Sequence, residues 1–268
     1  MVGVGLRFRY FFLSAALAWP LAAPAEEASM GAWEFLRPHF YAQREIGEVD
    51  ESYMHMDAPT STPDPAATPV SLHFGAGAVG TIRQVRVIID HNPSPIASTI
   101  DIAPGVPISE IDFRVRVDRF TSVRAIAETT DGRLEMRSRW IEASGGCSAP
   151  PSGSGEGKTG DIRFRESPDG KSLQVSIRHP NHSGFEIDPR SGDTIAPHYV
   201  SHITLSAAGK PVIDVDSGIS ISENPTFRIV SEQPLAMPLT LDATDSKDAH
   251  FSATWNGTDS TRQGSAAP

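Results

Sequence analysis

Ile111-Asp112-Phe113-Arg114-Val115-Arg116-Val117-Asp118 carries an apolar residue at every second position. Side chains alternate between the two faces of a strand. Ile111, Phe113, Val115 and Val117 therefore face a core, while Asp112, Arg114, Arg116 and Asp118 face away from it. The pattern recurs on either side. In Thr81 to Asp90 an inward row of Val85, Val87 and Ile89 ends at the turn chemistry of Asn92-Pro93-Ser94-Pro95. Val123, Ala125 and Ala127 continue it, and Asp131-Gly132 is a hairpin signal. Leu134, Met136, Ser138 and Trp140 then alternate with Arg133, Glu135, Arg137 and Arg139.

A second block repeats this grammar. Ile162 and Phe164 alternate, Pro168-Asp169-Gly170 turns, and Leu173, Val175 and Ile177 form the next row. Short strands follow over Tyr199 to Ser206, Pro211 to Val215, Thr226 to Val230, Leu239 to Leu241 and Phe251 to Trp255. Many short half-buried strands with 22 Gly and 22 Pro predict an all-β chain of two tandem antiparallel sandwiches, 70–147 and 161–257. Residues 26–69 form a lead-in. Met30 to Arg44 reads as a short helix packing Trp33, Phe35, Leu36, Phe40 and Tyr41, interrupted at Pro38. Gly47 to Pro69 reads as extended chain with little regular structure. Residues 258–268 read as a frayed tail.

The amino terminus sets the compartment. Arg7 and Arg9, an apolar run from Tyr10 to Leu21, and Ala23-Pro24-Ala25 make residues 1–25 a Sec-type signal peptide, too short for a membrane span. The predicted location is the periplasm. Losing two arginines makes the net charge of −10 more negative by two. Such acidity argues against nucleic acid and anionic membranes as partners.

Within Ala143-Ser144-Gly145-Gly146-Cys147-Ser148-Ala149-Pro150 stands the sole cysteine. Having no internal partner, Cys147 is a free or an intermolecular thiol. Gly145 and Gly146 precede it, and 148–160 reads as a flexible linker with little to bury. The thiol is therefore expected on a mobile, solvent-reachable segment. No cation lies near it in sequence, so it is expected to carry an adduct that partner enzymes process rather than to catalyse.

Other chemistry finds little support. His198 and His202 would lie about 13 Å apart on a strand, and His179 and His182 flank a turn; neither pair has a third ligand nearby in sequence. No metal or other cofactor is expected. Gly75-Ala76-Gly77-Ala78-Val79-Gly80 matches a dinucleotide fingerprint but lacks the following helix, so it reads as a turn. No nucleophile elbow is present.

The first block, with Val123-Arg-Ala-Ile-Ala-Glu128 and Ala143-Ser-Gly-Gly-Cys147, resembles the Y subunit of the Sox sulfur-oxidation carrier. The second resembles the Z subunit through Ile177-Arg-His-Pro180, Gly184, His198-Tyr-Val-Ser-His-Ile203, Gly209-Lys-Pro-Val212, Ile219-Ser-Ile-Ser-Glu-Asn-Pro225 and Ala253-Thr-Trp255. Together they look most like fused SoxYZ-like carriers associated with quinoprotein dehydrogenases. The resemblance implies an immunoglobulin-like fold and intramolecular pairing of the Y and Z domains. It also implies a non-enzymatic role, with a thiosulfate-derived or related group on Cys147, Gly145 and Gly146 as the flexible approach, and Sox-type or quinoprotein-associated enzymes as partners. The family's Y arm ends Gly-Gly-Cys-Gly-Gly at a chain terminus, whereas here Ser148-Ala149-Pro150 follows and the chain continues. Two other readings stay open. One is a non-covalent accessory factor for an exported quinoprotein dehydrogenase, and the other is a structural protein dimerised through Cys147.

Overall fold

The computed structural model describes residues 25–150, 157–257 and 265–266. The signal-peptide segment lies outside these residues apart from Ala25, as do 151–156 of the linker and most of the tail. A helix, α1 (Ala25–Tyr41), opens the described chain. The first half then contributes β1 (Ile46–Glu48), β2 (Met54–Asp57), β3 (Thr68–Phe74), β4 (Ile82–Ile89), β5 (Ile96–Ile102), β6 (Ile108–Val115), β7 (Thr121–Thr129) and β8 (Leu134–Ile141). The second contributes β9 (Ile162–Glu166), β10 (Ser172–Ile177), β11 (Val200–Ala207), β12 (Lys210–Ser217), β13 (Thr226–Ser231), β14 (Leu239–Asp245), β15 (His250–Trp255) and β16 (Ser265–Ala266).

Each half is an immunoglobulin-like sandwich, as expected, and the two are joined edge to edge. One sheet has ten strands in the order β1-β8-β7-β4-β5-β12-β11-β14-β15-β16; the other has six, β2-β3-β6-β13-β10-β9. Both cross the seam between halves without a break. In the larger sheet β5 pairs antiparallel with β12, from Ile102↔Ile213 to Ser98↔Ser217. In the smaller, β6 pairs with β13, including Ile111↔Ile229 and Asp112↔Arg228. Strand edges that would otherwise present unpaired backbone groups thus satisfy each other. The core between the sheets is continuous too: Phe113 of the first half and Phe227 of the second have ring centroids 6.1 Å apart.

Local readings needed correction in four places. The helix runs through Pro38 to Tyr41, with Ala42 N donating to Pro38 O at 2.9 Å, because Trp33, Leu36, Phe40 and Tyr41 pack over Ile88, Ile126, Leu134 and Met136 on the outer face of the large sheet. Phe35 stays 81 % exposed instead of packing. The stretch from Gly47 to Pro69 contains β2, which buries Met54 and Met56. That strand pairs with β3 from Met54↔Phe74 to Asp57↔Ser71, so partner strands override the local turn chemistry. At the carboxyl end β16 adds two residues to β15, where a frayed tail was expected.

The fingerprint-like glycines are indeed a turn. A Cβ on Gly75 would meet Ser52 O at 1.8 Å, so close backbone approach explains that glycine.

Two strand pairings and a shared core make the seam as extensive as an internal part of a sandwich. Introducing a protease site within 151–156 and cutting it should leave the halves eluting as one species in native gel filtration at micromolar concentration. Two separate peaks would show that the seam depends on the covalent link.

Candidate functional site

The segment carrying Cys147 leaves the end of β8 and is held along its whole length. Glu142 N donates to Thr60 O (2.7 Å), Gly145 N to Asp118 O (2.7 Å) and Gly146 N to Val117 O (3.0 Å). The side chain of Arg116 reaches the same segment, Nη1 donating to Gly146 O at 3.2 Å. From the second half, Ser183 Oγ lies 2.5 Å from Cys147 O and 2.8 Å from Glu186 Oε2, its single proton serving these two acceptors. Cys147 is fully buried at the seam.

This corrects the expectation of a solvent-reachable thiol. The two glycines do not loosen the segment here; they let it dock. Gly145 adopts the left-handed region, φ 78°, which favours glycine. A Cβ on Gly146 would lie 2.2 Å from Pro65 O, 2.5 Å from Val117 O and 2.7 Å from Val117 N, all backbone atoms that cannot swing aside. Sequence reading took Gly-Gly as freedom of motion, whereas its use in this fold is close approach.

Arg116 is the second correction. Alternation along Ile111 to Asp118 sends it away from the core, yet it is 3 % exposed because the second half covers that face. Its Nη2 donates to Asn181 O at 3.1 Å and stands 3.6 Å from Glu186 Oε1. Its own backbone is fixed by Ser220 O, which accepts from Arg116 N, and by Asn92, whose Nδ2 donates to Arg116 O. Glu186 is also buried. Burial pushes its carboxyl up, but the N–H and hydroxyl of Ser183, with Arg116 nearby, outweigh this and hold it below the ordinary carboxylate range.

The electrostatics keep the thiol protonated. Burial pushes the Cys147 thiol up to about 12, with Asp118 and Glu186 adding to the rise and Arg116 opposing it. Against an ordinary value of 9.0 the ionised fraction at neutral pH falls about a thousandfold, and the thiolate is the nucleophile. The docked thiol is therefore chemically silent, and any reaction at Cys147 requires the segment to leave its seat.

Sequence spacing gives neither histidine pair a third ligand, and the structure groups these residues differently. His179 joins His198 instead, with Asp245 between them. His198 Nε2 is 2.7 Å and His179 Nε2 3.4 Å from Asp245 Oδ2, and the three ligand-type atoms lie within 4.8 Å of one another. That spacing suits three ligands of a divalent ion. The groups also satisfy one another, with Asp245 Oδ1 accepting from Lys247 N and Ala249 N. His202 lies elsewhere, on an exposed strand face beside Asp214 and Asp216. No local signal joins His179 to Asp245, which are 66 residues apart.

Two measurements follow from this geometry. Alkylation of Cys147 by iodoacetamide at neutral pH should be far slower in the native protein than in denatured chain. Gly146→Ala should accelerate it more than tenfold in the native state, a shift of about 1.4 kcal/mol in the docking equilibrium; equal rates in both proteins would refute the docked seat. The second concerns His179, whose pKa is lowered by burial and by the neighbouring His198. A base with a depressed folded pKa takes up its proton more readily when unfolded. Its contribution is complete above the ordinary value of 6.5 and is lost as pH falls below it, at up to about 1.4 kcal/mol per pH unit. Asp245, lowered despite its burial by His198 and two backbone N–H groups, adds a further loss below 3.8. Thermal melts should show the first decline starting near pH 6.5, and His179→Gln should flatten it.

Comparison with known proteins agrees with this layout. The family model described as sulfur oxidation protein SoxY matches residues 38–147, and that described as sulphur oxidation protein SoxZ matches 163–256. No curated protein matches. Among solved structures, the sulfur carrier protein SoxY from Chlorobium limicola f thiosulfatophilum aligns at 17 % identity and a TM-score of 0.38, over 45 % of this chain and all of that one. A beta-glycosidase from Bacteroides vulgatus aligns at 8 % identity and a TM-score of 0.25, over 78 % of this chain and 25 % of that one. With a SoxY domain followed by a SoxZ domain across most of its length, the chain belongs to the SoxYZ-like family of sulfur-oxidation carriers, its two halves fused in one polypeptide.

Proposed function

We propose that this protein is a periplasmic covalent carrier, exported by residues 1–25, that holds a thiosulfate-derived or related sulfur group on Cys147. The observation that carries the reading is the SoxY match, which ends on Cys147, the sole cysteine of the chain. The seat supports it. Only non-covalent contacts hold the segment, so docking is reversible, and the thiol inside it is inert. Protection when idle and reactivity when released are the two properties a carrier thiol needs.

Loading sets a requirement on the partners. Joining a thiol to thiosulfate through a new S–S bond removes the thiol proton and two electrons. That step therefore belongs to a redox partner that accepts the electrons. Later steps on the bound group belong to oxidising or hydrolysing enzymes of the Sox type. The carrier presents the group and takes no part in bond cleavage. Ser183 and Glu186 are positioned to hold the unloaded segment rather than to act on a substrate, being committed to Cys147 O and to each other.

Intact-mass measurement of the mature protein from its native source, with and without reductant, tests this. A reductant-labile increment that maps to Cys147 is the expected result, and its size identifies the cargo. An unmodified thiol across growth conditions that supply reduced sulfur would overturn the reading.

A further inference from the structure

The outer face of the six-stranded sheet carries a concavity of about 410 Å³ lined by Arg114, Arg163, Arg165 and Arg178. The geometry points to a binding site for a small tetrahedral oxyanion of the sulfate, thiosulfate or phosphate kind, distinct from the Cys147 seat.

Strand register brings these residues together. Arg163 and Arg165 are neighbours on one face of β9, opposite Ser176 and Gln174 of β10. Ser176 in turn pairs with Thr226 of β13. Arg114 comes from β6 on the far side, three strands away, or about 14 Å of backbone separation. Arg178 follows directly after β10. The floor is thus made of neutral polar groups, Gln174, Ser176, Thr226 and Asn224, with guanidinium groups standing around it. Two extended arginines can meet over such a gap around an ion a few ångströms wide.

The charges are uncompensated. Among the described residues none of the four arginines forms an ion pair, although Arg228 on the same sheet is neutralised by Glu110 and Asp112. One carboxylate, Asp161, reaches the rim, and its Oδ2 accepts from Lys158 N at 2.9 Å. Arg178 adds a second observation: its Nη2 is buried with no hydrogen-bond partner among the described residues. A guanidinium N–H removed from water and left unbonded is costly, and a small turn of the Arg178 side chain toward an anion in the concavity would remove that cost. A flat acidic protein surface could engage the exposed arginines but would leave this recessed donor unfilled. Guanidinium groups bind planar pairs of oxyanion oxygens well, so four of them suit a dianion.

Binding here involves no bond to Cys147, so the inference stands or falls separately from the carrier reading. The test is calorimetric titration of the full-length protein with sodium thiosulfate, sulfate and phosphate, ionic strength being held constant with chloride. We expect saturable one-site binding that weakens about tenfold in Arg163→Gln and in Arg178→Gln. Arg83→Gln, which removes a guanidinium paired with Glu128 on the other sheet, should leave it unchanged. Arg165→Gln serves where Arg178→Gln fails to fold. Either order of preference between thiosulfate and phosphate supports the site and identifies its ion. A response that does not saturate, or that falls equally in Arg83→Gln, would show general screening and overturn it.

Discussion

The site depends on one buried charge. Arg116 stands on the last turn of chain after β6, where it touches the cysteine segment through Gly146 O and the second half through Asn181 O and Glu186. Taking a guanidinium out of water is tolerable only where carbonyls and a carboxylate replace the lost hydration. Those replacements come from both halves. Neither the sandwich of the first half nor that of the second can house Arg116 by itself, so the seat for Cys147 exists only when the seam is closed. The unbroken sheets guarantee that closure through β5–β12 and β6–β13.

The same charge is outnumbered. Burial does most to raise the Cys147 thiol, and Asp118 and Glu186 both lie near enough to add to it. Arg116 therefore orders the segment without activating its sulfur. A catalytic cysteine needs the opposite balance, with a cation free to stabilise the thiolate. Here the nearest guanidinium spends its hydrogen bonds on carbonyl oxygens and its charge on Glu186. This division of labour is physically coherent for a protein that stores reactivity for others: the residue that secures the segment is not the one that makes it react.

Much of the fold was legible because half-buried strands alternate. The rows Ile111 to Val115 and Leu173 to Ile177 lie in β6 and β10 with the expected faces inward. Alternation failed where a second layer covers a polar face. Arg116 obeys the period yet is buried, since what covers it is more than 60 residues away in sequence. The tryptophan-bearing helix likewise turns the supposedly outward side of β7 into a second core, where Arg124 packs over the Trp33 ring at 4.7 Å. Cys147 stands out in the sequence as the sole cysteine, but its buried surroundings do not. Gly-Gly carries the same letters whether it frees a chain or lets it lie against backbone, and only Pro65 and Val117 decide between the two. The arginine concavity was hidden for the same reason, since Arg114 joins Arg163 and Arg165 only once the halves share a sheet.

Fusion changes the economics of docking. A cysteine segment at a chain end must give up the full freedom of a loose terminus when it settles. In this chain the segment is a loop whose ends are both anchored, at Ile141 of β8 and Ile162 of β9, on one continuous body. Closing entropy is already fixed by those anchors, and loop entropy grows only slowly with length. A few hydrogen bonds are then enough to hold the seat. The same tether bounds the released state. Five residues lie between Ile141 and Cys147, so the six steps of chain span at most about 20 Å when extended. A partner must therefore approach the seam itself, close to Ser183 and the end of β6, to meet the sulfur. Under the proposed carrier function, reach is traded for a seat that fills easily, and partners would be selected by their ability to come to the seam rather than by the arm's ability to find them.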